Sequence, residues 1–485
     1  MDCCHPSRRN ALRWAGLVAS TPLTVAAADP DAAMAAPGSG SARGLLVKDV
    51  EVVTVTDTSV VVTWFSGSAT ETDRYGFPKP VATDTELLLG EPNRPDTLRT
   101  VLHDIAQTAY HYAEVTGLEP GRTYGFAARS AGRTAVQTAL QFPGTGGSGD
   151  LPGMFTTLQR PAGSHLFTLA LANDTHVGET TSGIIIGDFP PAFQQDPGLP
   201  PYPEVMLTAL VEDLRQPDRG ADRLLVAGDL TAEAETQDVA RVRELLDGFG
   251  ALGADYFVTR GNHDRPHAGG AYAACGIVPG TSDHHDCWGD GFSRPWQRLF
   301  TAEIGGLRLV GLDTTTLDLP SGTLDDGQLA DLAALLGAEP DRPTVVFGHH
   351  PVTFESAVTT ADGPTFDLDQ TRARQLEALY AAAPGVFLHH AGHTHRNKRT
   401  FVAGRRDVEF LEVAATKEYP GGYSLVRVYS GGYQVSFYKA RAELARRWSQ
   451  RTRGEYLGLY PSYTLGTIAD RNHTVARDLS GLARP

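Results

Sequence analysis

The strongest constraint on the fold is a series of five short blocks of Asp, Asn and His, each of which follows a short apolar run. The blocks occupy residues 173–176, 228–229, 261–264, 348–351 and 392–395. The apolar runs before them occupy residues 166–172, 224–227, 256–258, 344–347 and 386–388. Apolar runs of this length are typical of buried parallel strands. Because the carboxyl ends of such strands line the ligand crevice of an open α/β sheet, we expect the blocks to meet at one edge.

Together the five blocks supply seven oxygen and nitrogen ligands, which is enough for two adjacent divalent metal ions. A lone histidine behind a strand is usually an ordinary core or surface residue, so the hypothesis depends on the whole ordered set. Two ions about 3.5–4 Å apart lower the pKa of a bridging water and neutralise phosphoryl oxygens. The blocks therefore predict a dinuclear metal site that activates water for hydrolysis.

The order of the blocks also carries a family resemblance. They match D-x-H, G-D, G-N-H-[DE], G-H-x-P and G-H-x-H, and so resemble the calcineurin-like metallophosphoesterase family over residues 164–440. Each motif alone occurs by chance in long chains, whereas all five in order are a specific signal. The resemblance implies a four-layer α/β domain with two packed β-sheets flanked by helices. It also implies a dinuclear metal-dependent phosphoric ester hydrolase.

The resemblance assigns the metal ligands residue by residue. Asp229 is implied as the carboxylate that bridges both ions. The other ligands of the first ion are Asp174, His176 and His395, and those of the second are Asn262, His349 and His393. Imidazole and hard oxygen ligands together suit Mn, Fe, Zn or Ni better than Mg or Ca, without choosing among the four.

Three further polar residues in the blocks are candidates for the chemistry rather than for the metals. The family uses the histidine at position 263 to contact the scissile phosphate, and we expect His263 to protonate the leaving oxygen. Asp264 is expected to orient the His263 ring or to raise its pKa. His350 follows the ligand His349 in the sequence. We expect it either to support the metal ligands from behind or to pack in the core, and it is also a candidate for contact with the substrate.

The details of the blocks distinguish two branches of the family. Purple acid phosphatases carry a tyrosine ligand where this chain has Ala232, lack the histidine found here at His176, and usually have glutamate at Asp264. The chain is more similar to the class III cyclic-nucleotide phosphodiesterase-like branch. We expect a secreted phosphodiesterase that acts on a small phosphorylated substrate, such as a cyclic nucleotide or a glycerophosphodiester. A phosphomonoesterase or nucleotidase is the alternative, and a non-catalytic exported scaffold is disfavoured by the presence of His263.

The chain ahead of the blocks divides into three parts. Residues 1–28 resemble a twin-arginine export signal, which implies an extracellular, periplasmic or cell-wall location. An uncleaved anchor is disfavoured because the apolar stretch is shorter than the about 20 residues of a membrane span. Residues 29–43 are rich in Ala, Pro, Gly and Ser and predict a disordered linker. Residues 44–158 resemble a fibronectin type III β-sandwich that serves packing or docking, with Trp64 in the core and Tyr124 at a tyrosine corner.

An insertion at residues 265–295 holds Cys275 and Cys287, together with His284 and His285. In an oxidising compartment the two cysteines are expected to form a disulfide, with two reduced thiols as the alternative. A zinc site that includes the two histidines is a weaker alternative because the spacing matches no familiar pattern. Loops of this length are usually functional or disordered, and we expect this one to form a rim of the substrate pocket, with His284 and His285 near the substrate.

Beyond residue 161 the pattern predicts alternating strands and helices. Helices are predicted at 204–215, 234–249, 325–336 and 370–382, and strands of a second sheet at 399–403, 408–414, 423–429 and 433–438. Residues 441–485 are expected to form a tail that packs on the surface. The net charge of −15 disfavours a nucleic acid polymer as partner. Neither a stable membrane anchor nor a particular oligomeric state is predicted.

Overall fold

A computed structural model describes residues 44–137, 153–183, 192–264, 285–317, 319–361 and 363–485. The predicted export signal and linker, as well as Cys275 and His284, lie outside the described residues. Within the described ranges, no helix has the length and apolar character needed to cross a membrane.

The N-terminal region consists of two antiparallel sheets packed face to face. The strands are β1 (Leu45–Val55), β2 (Ser59–Thr72), β3 (Pro78–Pro80), β4 (Thr83–Gly90), β5 (Arg99–Thr108), β6 (Tyr110–Thr116), β7 (Thr123–Ser130), β8 (Arg133–Thr134) and β9 (Met154–Thr156). One sheet contains β1, β2, β3 and β6, and the other contains the remaining five. Trp64 and Leu87 meet in the core between them, and the Tyr124 hydroxyl accepts a hydrogen bond from the Glu119 amide at 3.0 Å. The sheet-rich prediction is confirmed, while the fibronectin type III resemblance stays a prediction.

Two mixed sheets form the centre of the larger domain. The strands are β10 (Ala162–Ala172), β11 (Arg223–Ala227), β12 (Tyr256–Thr259), β13 (Phe300–Ile304), β14 (Leu307–Gly311), β15 (Thr315–Thr316), β16 (Leu319–Gly322), β17 (Thr344–Phe347), β18 (Val386–Ala391), β19 (Lys398–Thr400), β20 (Glu409–Glu412), β21 (Gly422–Lys439) and β22 (Asn472–Ala476). The first sheet has the order β12-β11-β10-β21-β22 and the second β13-β14-β17-β18-β20-β19, while β15 and β16 pair in a separate two-stranded sheet. Leu171 and Leu225 of the first sheet share one core with Val345 and Leu388 of the second, so the two sheets pack against each other.

Helices cover the outer faces of both sheets. They are α1 (Tyr202–Leu214), α2 (Thr236–Asp247), α3 (Cys287–Phe292), α4 (Asp326–Ala338), α5 (Phe354–Thr359), α6 (Gln370–Ala381), α7 (Glu443–Thr452), α8 (Tyr460–Thr464) and α9 (Ile468–Arg471). Leu210 of α1 and Val242 of α2 join the core of the first sheet. Leu332 of α4 and Leu376 of α6 pack against the outer face of the second. The four-layer arrangement agrees with the prediction.

Two sequence predictions about the end of the chain are wrong. The segments predicted as separate strands at 423–429 and 433–438 form the single strand β21, which pairs with β10 in the first sheet. The tail beyond residue 440 does not simply lie on the surface. Trp448 of α7 is 1% exposed and stacks on Tyr202 of α1 at 4.1 Å between ring centroids. Because β22 pairs with β21, the tail also completes the first sheet.

A buried ionic cluster links the N-terminal sandwich to this tail. Glu51 of β1 accepts from Lys439 Nζ at 2.6 Å, from Arg453 Nε at 2.9 Å and from the Tyr419 hydroxyl at 2.7 Å. Burial opposes ionisation of Glu51, but the two cations lower its pKa to about 2. The carboxylate therefore holds two buried cations in place across the domain boundary.

Glu51→Gln should destabilise the protein by about 3–5 kcal/mol at neutral pH, because two buried cations lose their counter-ion. The pKa of Glu51 is lowered on folding, so its stabilising contribution is complete above the ordinary carboxyl pKa of 4.5 and is lost as pH falls towards about 2. Urea unfolding of both proteins at pH 7 and pH 3 should show the difference shrinking at the lower pH. Glu71→Gln, which removes an exposed ion pair with Lys79, should change stability by no more than about 1 kcal/mol.

Candidate metal centre

The five ligand blocks follow the carboxyl ends of β10, β11 and β12 in the first sheet and of β17 and β18 in the second. The expected single edge is therefore the shared edge of two facing sheets. Five of the candidate ligands have left-handed backbone conformations: Asp174, His176, Asp229, His393 and His395. Such conformations are costly for residues other than glycine and cluster at functional sites. Here the strand ends turn sharply, and the polar side chains point towards one another.

Glycines in the blocks let these loops approach closely. A Cβ at Gly392 would lie 2.6 Å from Asp174 Oδ2, and a Cβ at Gly261 would lie 2.1 Å from the Asp229 amide nitrogen. Both distances are too short for a side chain. The glycine in each of these motifs is therefore required by packing between ligand loops.

Gly392→Ala should weaken metal binding by at least about tenfold, because the added methyl displaces Asp174. Metal content after dialysis and calorimetric titration would measure the loss. Gly337→Ala in α4 is the matched control, since nothing lies within 4 Å of a Cβ there. The control should bind metal normally and gain up to about 1 kcal/mol of stability. Equal metal binding by both variants would contradict the packing argument.

One group of ligand atoms surrounds Asp229. His349 Nε2 lies 3.2 Å from Asp229 Oδ2, 3.0 Å from Asn262 Oδ1 and 3.1 Å from His393 Nδ1. The other ring nitrogens face backbone carbonyls: His349 Nδ1 lies 2.8 Å from Ala227 O, and His393 Nε2 lies 3.0 Å from Phe366 O. Because a carbonyl only accepts, these nitrogens carry the protons and the inward ones carry lone pairs.

The second group is built in the same way around Asp174. His395 Nε2 lies 3.3 Å from Asp174 Oδ1, and His176 Nε2 lies 3.4 Å from Asp229 Oδ2. The outward nitrogens of these rings face carboxylates: His176 Nδ1 lies 2.9 Å from Glu179 and His395 Nδ1 lies 2.7 Å from Glu418. Lone pairs again point inward. Asp229 lies in both groups, as expected for a bridging ligand.

The donor set fits two cations. In each group, lone pairs of imidazole, carboxylate or amide oxygen face one another, which is repulsive without a positive charge between them. Asp174 Oδ1 and His176 Nε2 are buried without a hydrogen-bond partner. The mixture of nitrogen and oxygen donors is typical of transition-metal sites.

His263 lies beside this centre with a defined ring orientation. Its backbone amide donates to Asp229 Oδ1 at 2.8 Å, and Nδ1 lies 2.6 Å from the Ala232 carbonyl oxygen. Nε2 lies 4.0 Å from Asp229 Oδ2, so this ring nitrogen faces the ligand cluster. Burial, only partly offset by Asp229, lowers the pKa of His263 to about 4. The ring is therefore neutral at neutral pH in the free protein.

The described contact of His263 Nδ1 is with the Ala232 carbonyl oxygen, and the role predicted for Asp264 at the His263 ring stays a prediction. The Asp264 carboxylate accepts hydrogen bonds from the Leu230, Thr231 and Gly261 amides and from the Thr231 hydroxyl, at 2.7–3.1 Å. Burial and the nearby Asp229 raise its pKa to about 6. Asp264 thus holds the Asp229 loop against the 261–264 loop and is a positioning residue.

His350 and His285 were also proposed to lie near the substrate. His350 is fully buried, with Nδ1 2.8 Å from the Thr314 hydroxyl and Nε2 3.0 Å from the Pro320 carbonyl oxygen, so it supports the ligand layer instead of contacting substrate. His285 is exposed next to the start of α3. Cys287 is disulfide-bonded, while its predicted pairing with Cys275 stays a prediction because Cys275 lies outside the described residues.

Sequence reasoning missed several residues that support the site. Glu179 and Glu418 back His176 and His395, and Lys417 lies 2.7 Å from both oxygens of Glu179. Burial opposes ionisation of Glu179, but Lys417 and His176 lower its pKa to about 2. The spacing of Glu179, three residues after a ligand, was a usable signal. Lys417 and Glu418 belong to no motif and are brought to the site only by folding.

Arg260 was also missed. Its guanidinium is buried, donates to Asp286 at 2.6 Å and 2.7 Å and to the Asp264 carbonyl oxygen at 2.8 Å, and lies over the Trp288 ring at 4.6 Å. It therefore ties the last part of the insertion to the loop that carries Asn262.

A comparison with known families decides the domain type. Residues 167–397 match the model of the calcineurin-like phosphoesterase family. This segment is a calcineurin-like phosphoesterase domain. The motifs that carried the resemblance all lie within the matched residues.

Several solved structures match this chain at low sequence identity. A dimetal phosphatase from Danio rerio has 12% identity, covers 56% of this chain and 96% of its own, with a TM-score of 0.41. A purple acid phosphatase from yellow lupin (Lupinus luteus) seeds has 14% identity, covers 90% and 74%, with a TM-score of 0.40. PhoD has 13% identity, covers 82% and 87%, with a TM-score of 0.35. No curated protein matches the chain, and no inference about activity follows from matches this distant.

Proposed function

We propose that the protein is an exported phosphodiesterase that hydrolyses a small phosphorylated substrate with two divalent metal ions. The observation that carries the proposal is the pair of ligand groups that share Asp229, with His263 beside them. Ions bound there would supply Lewis-acid activation of water and charge neutralisation at the phosphoryl group. Mn, Fe, Zn and Ni all suit the donors.

The chain's own residues have three tasks in this reaction. The left-handed loops and the glycines between them hold the ligands close together. Asp264 keeps Asp229 in place through the loop amides. His263 carries the leaving-group proton at Nε2. The phosphate anion favours the protonated ring because opposite charge stabilises it, and the Ala232 carbonyl keeps Nε2 directed at the substrate.

Charge favours a diester over a monoester. Three described basic residues near the ligand blocks are already paired with carboxylates: Arg260 with Asp286, Arg396 with Glu412, and Lys417, whose amide binds the first block, with Glu179. A monoester dianion carries one more negative charge than a diester and gains nothing from these paired cations. The site therefore suits a phosphodiester monoanion.

A substrate panel tests the proposal. Mn-loaded protein would be assayed with bis-p-nitrophenyl phosphate, p-nitrophenyl phosphate, cyclic nucleotides and glycerophosphodiesters, with and without chelator. We expect metal-dependent turnover that is fastest on a diester. Absence of turnover on every compound would refute the enzyme, and a strong preference for p-nitrophenyl phosphate would replace the diesterase with a phosphomonoesterase or nucleotidase.

Export is tested separately. Residues 1–43 fused to a reporter that is active only after export should give a signal, and replacing Arg8 and Arg9 by lysine should abolish it. A reporter signal that survives this change would contradict the twin-arginine route.

A further inference from the structure

The two groups of metal ligands differ in the partners of the histidine ring nitrogens that point away from the cluster. In the group around His349 and His393, the outward ring nitrogens donate to the backbone carbonyls of Ala227 and Phe366. In the group around His176 and His395, they face carboxylates: His395 Nδ1 is hydrogen-bonded to Glu418 at 2.7 Å, and His176 Nδ1 lies 2.9 Å from Glu179. A carboxylate partner fixes the tautomer and makes the imidazole a stronger donor to a metal than a carbonyl does. Among the residues that the structure describes, the histidines of the first ion are therefore the ones backed by acidic side chains outside the ligand set.

The two carboxylates belong to one buried cluster. Lys417 lies 2.7 Å from both oxygens of Glu179 and 3.7 Å from Glu418. Ser182 lies 2.6 Å from Glu418, and the Tyr460 hydroxyl also donates to Glu418. Tyr202 donates to Glu179. Every oxygen of the two carboxylates has a partner, so their positions are determined by more than the histidines.

The cluster also attaches to the first ligand block through the backbone. The Thr416 amide donates to the Asn173 carbonyl oxygen and the Lys417 amide to the Asp174 carbonyl oxygen, both at 3.1 Å. Tyr460 comes from the C-terminal tail and Tyr202 from α1. Residues from four distant parts of the chain thus converge behind one ion only.

We propose that Glu179 and Glu418, joined by Lys417, are positioning residues that orient His176 and His395 and strengthen them as ligands of the first metal ion. This inference rests on the proposed function, because it assumes that two metal ions bind. It concerns binding of one ion of the pair and makes no assumption about the substrate.

Metal titration of single variants tests this role. Mn²⁺ binding to the full-length protein would be followed by calorimetry and by electron paramagnetic resonance of the bound ions. Glu418→Ala and Glu179→Ala should each weaken one of the two binding steps by about 10- to 100-fold and leave the other unchanged. Glu418→Gln, which keeps an acceptor but loses the charge, should fall between wild type and Glu418→Ala.

Glu409→Gln is the matched control. Glu409 is also a buried carboxylate that accepts from a histidine, at 2.5 Å from His473 Nε2, and its other partners are Tyr433 and Arg399. It should lose stability without any change in metal binding. If Glu418→Ala does not fold, Glu418→Gln and the partly exposed Glu179 position provide the measurement.

Two outcomes would overturn the proposal: folded variants that bind both ions like wild type, or equal weakening of both binding steps. Hydrolysis is measured in parallel at saturating metal. A selective loss of metal affinity without turnover in any variant or in wild type would support the positioning role and refute the phosphodiesterase. Unchanged affinities with normal turnover would refute only the positioning role.

Discussion

Asp229→Asn should lower kcat/KM on the best diester of the panel by on the order of 10³-fold, with the protein still folded. Asp229 is the one carboxylate in both ligand groups, and its Oδ2 lies 3.2 Å from His349 and 3.4 Å from His176. An amide offers one neutral oxygen in place of a shared anion, so the two ions lose their common ligand. Metal catalysis contributes several kcal/mol, and each 1.36 kcal/mol is a factor of ten.

Steady-state kinetics and metal analysis of the same samples would measure this effect. Asp213→Asn is a suitable control because Asp213 is also buried and binds Arg441, while it lies outside every ligand block. It should reduce stability and leave kcat/KM within about twofold per unit of folded protein. A fully active Asp229→Asn enzyme would refute the shared-carboxylate centre.

His263→Ala should slow hydrolysis of substrates with poor leaving groups by about 10²- to 10⁴-fold, the usual contribution of a general acid. Alkoxide leaving groups, as in glycerophosphodiesters, need a proton as the bond breaks. The p-nitrophenolate group is stable as an anion, so bis-p-nitrophenyl phosphate should be affected much less. The Ala232 carbonyl oxygen, 2.6 Å from Nδ1, fixes the ring so that Nε2 is the nitrogen that carries this proton once the bound phosphate anion favours the protonated ring.

The comparison of the two substrates is the decisive measurement for His263. His103→Ala, at an exposed histidine paired with Asp84 in the sandwich, should leave both rates unchanged. Equal losses on both substrates would assign His263 to substrate binding or to support of Asp229, through its amide at 2.8 Å, and would reject the proton-donor role.

Local patterns predicted most of the central fold. The strands before the ligand blocks and the four helices between them were found because short apolar runs and amphipathic segments are properties of neighbouring residues. For example, the strand predicted at 344–347 is β17 (Thr344–Phe347), and the helix predicted at 370–382 is α6 (Gln370–Ala381). The seven ligand candidates were found because each lies in a short motif. Errors began where pairing partners are distant, as with β21, which joins β10 across more than 250 residues.

The supporting residues show the same limit. Asp264 was interpreted from its neighbour His263, yet its carboxylate contacts the 230–231 amides of another loop. The tail was predicted to pack on the surface, because no local sequence pattern predicts that Trp448 stacks on Tyr202 or that the Tyr460 hydroxyl donates to Glu418. These contacts depend on where separate elements meet.

The five blocks alone predicted the reaction class and the ligand candidates, since each candidate lies in a short motif behind a strand. Only the tertiary structure decided which loops face each other and that the ligand blocks lie at an edge shared by two sheets. It also decided which ligand histidines have a carboxylate next to the outward ring nitrogen. The physical reason is that ligand identity is a property of single side chains. Tautomer, orientation and charge depend on partners such as Glu179 and Glu418 that only the folded chain brings within 3 Å.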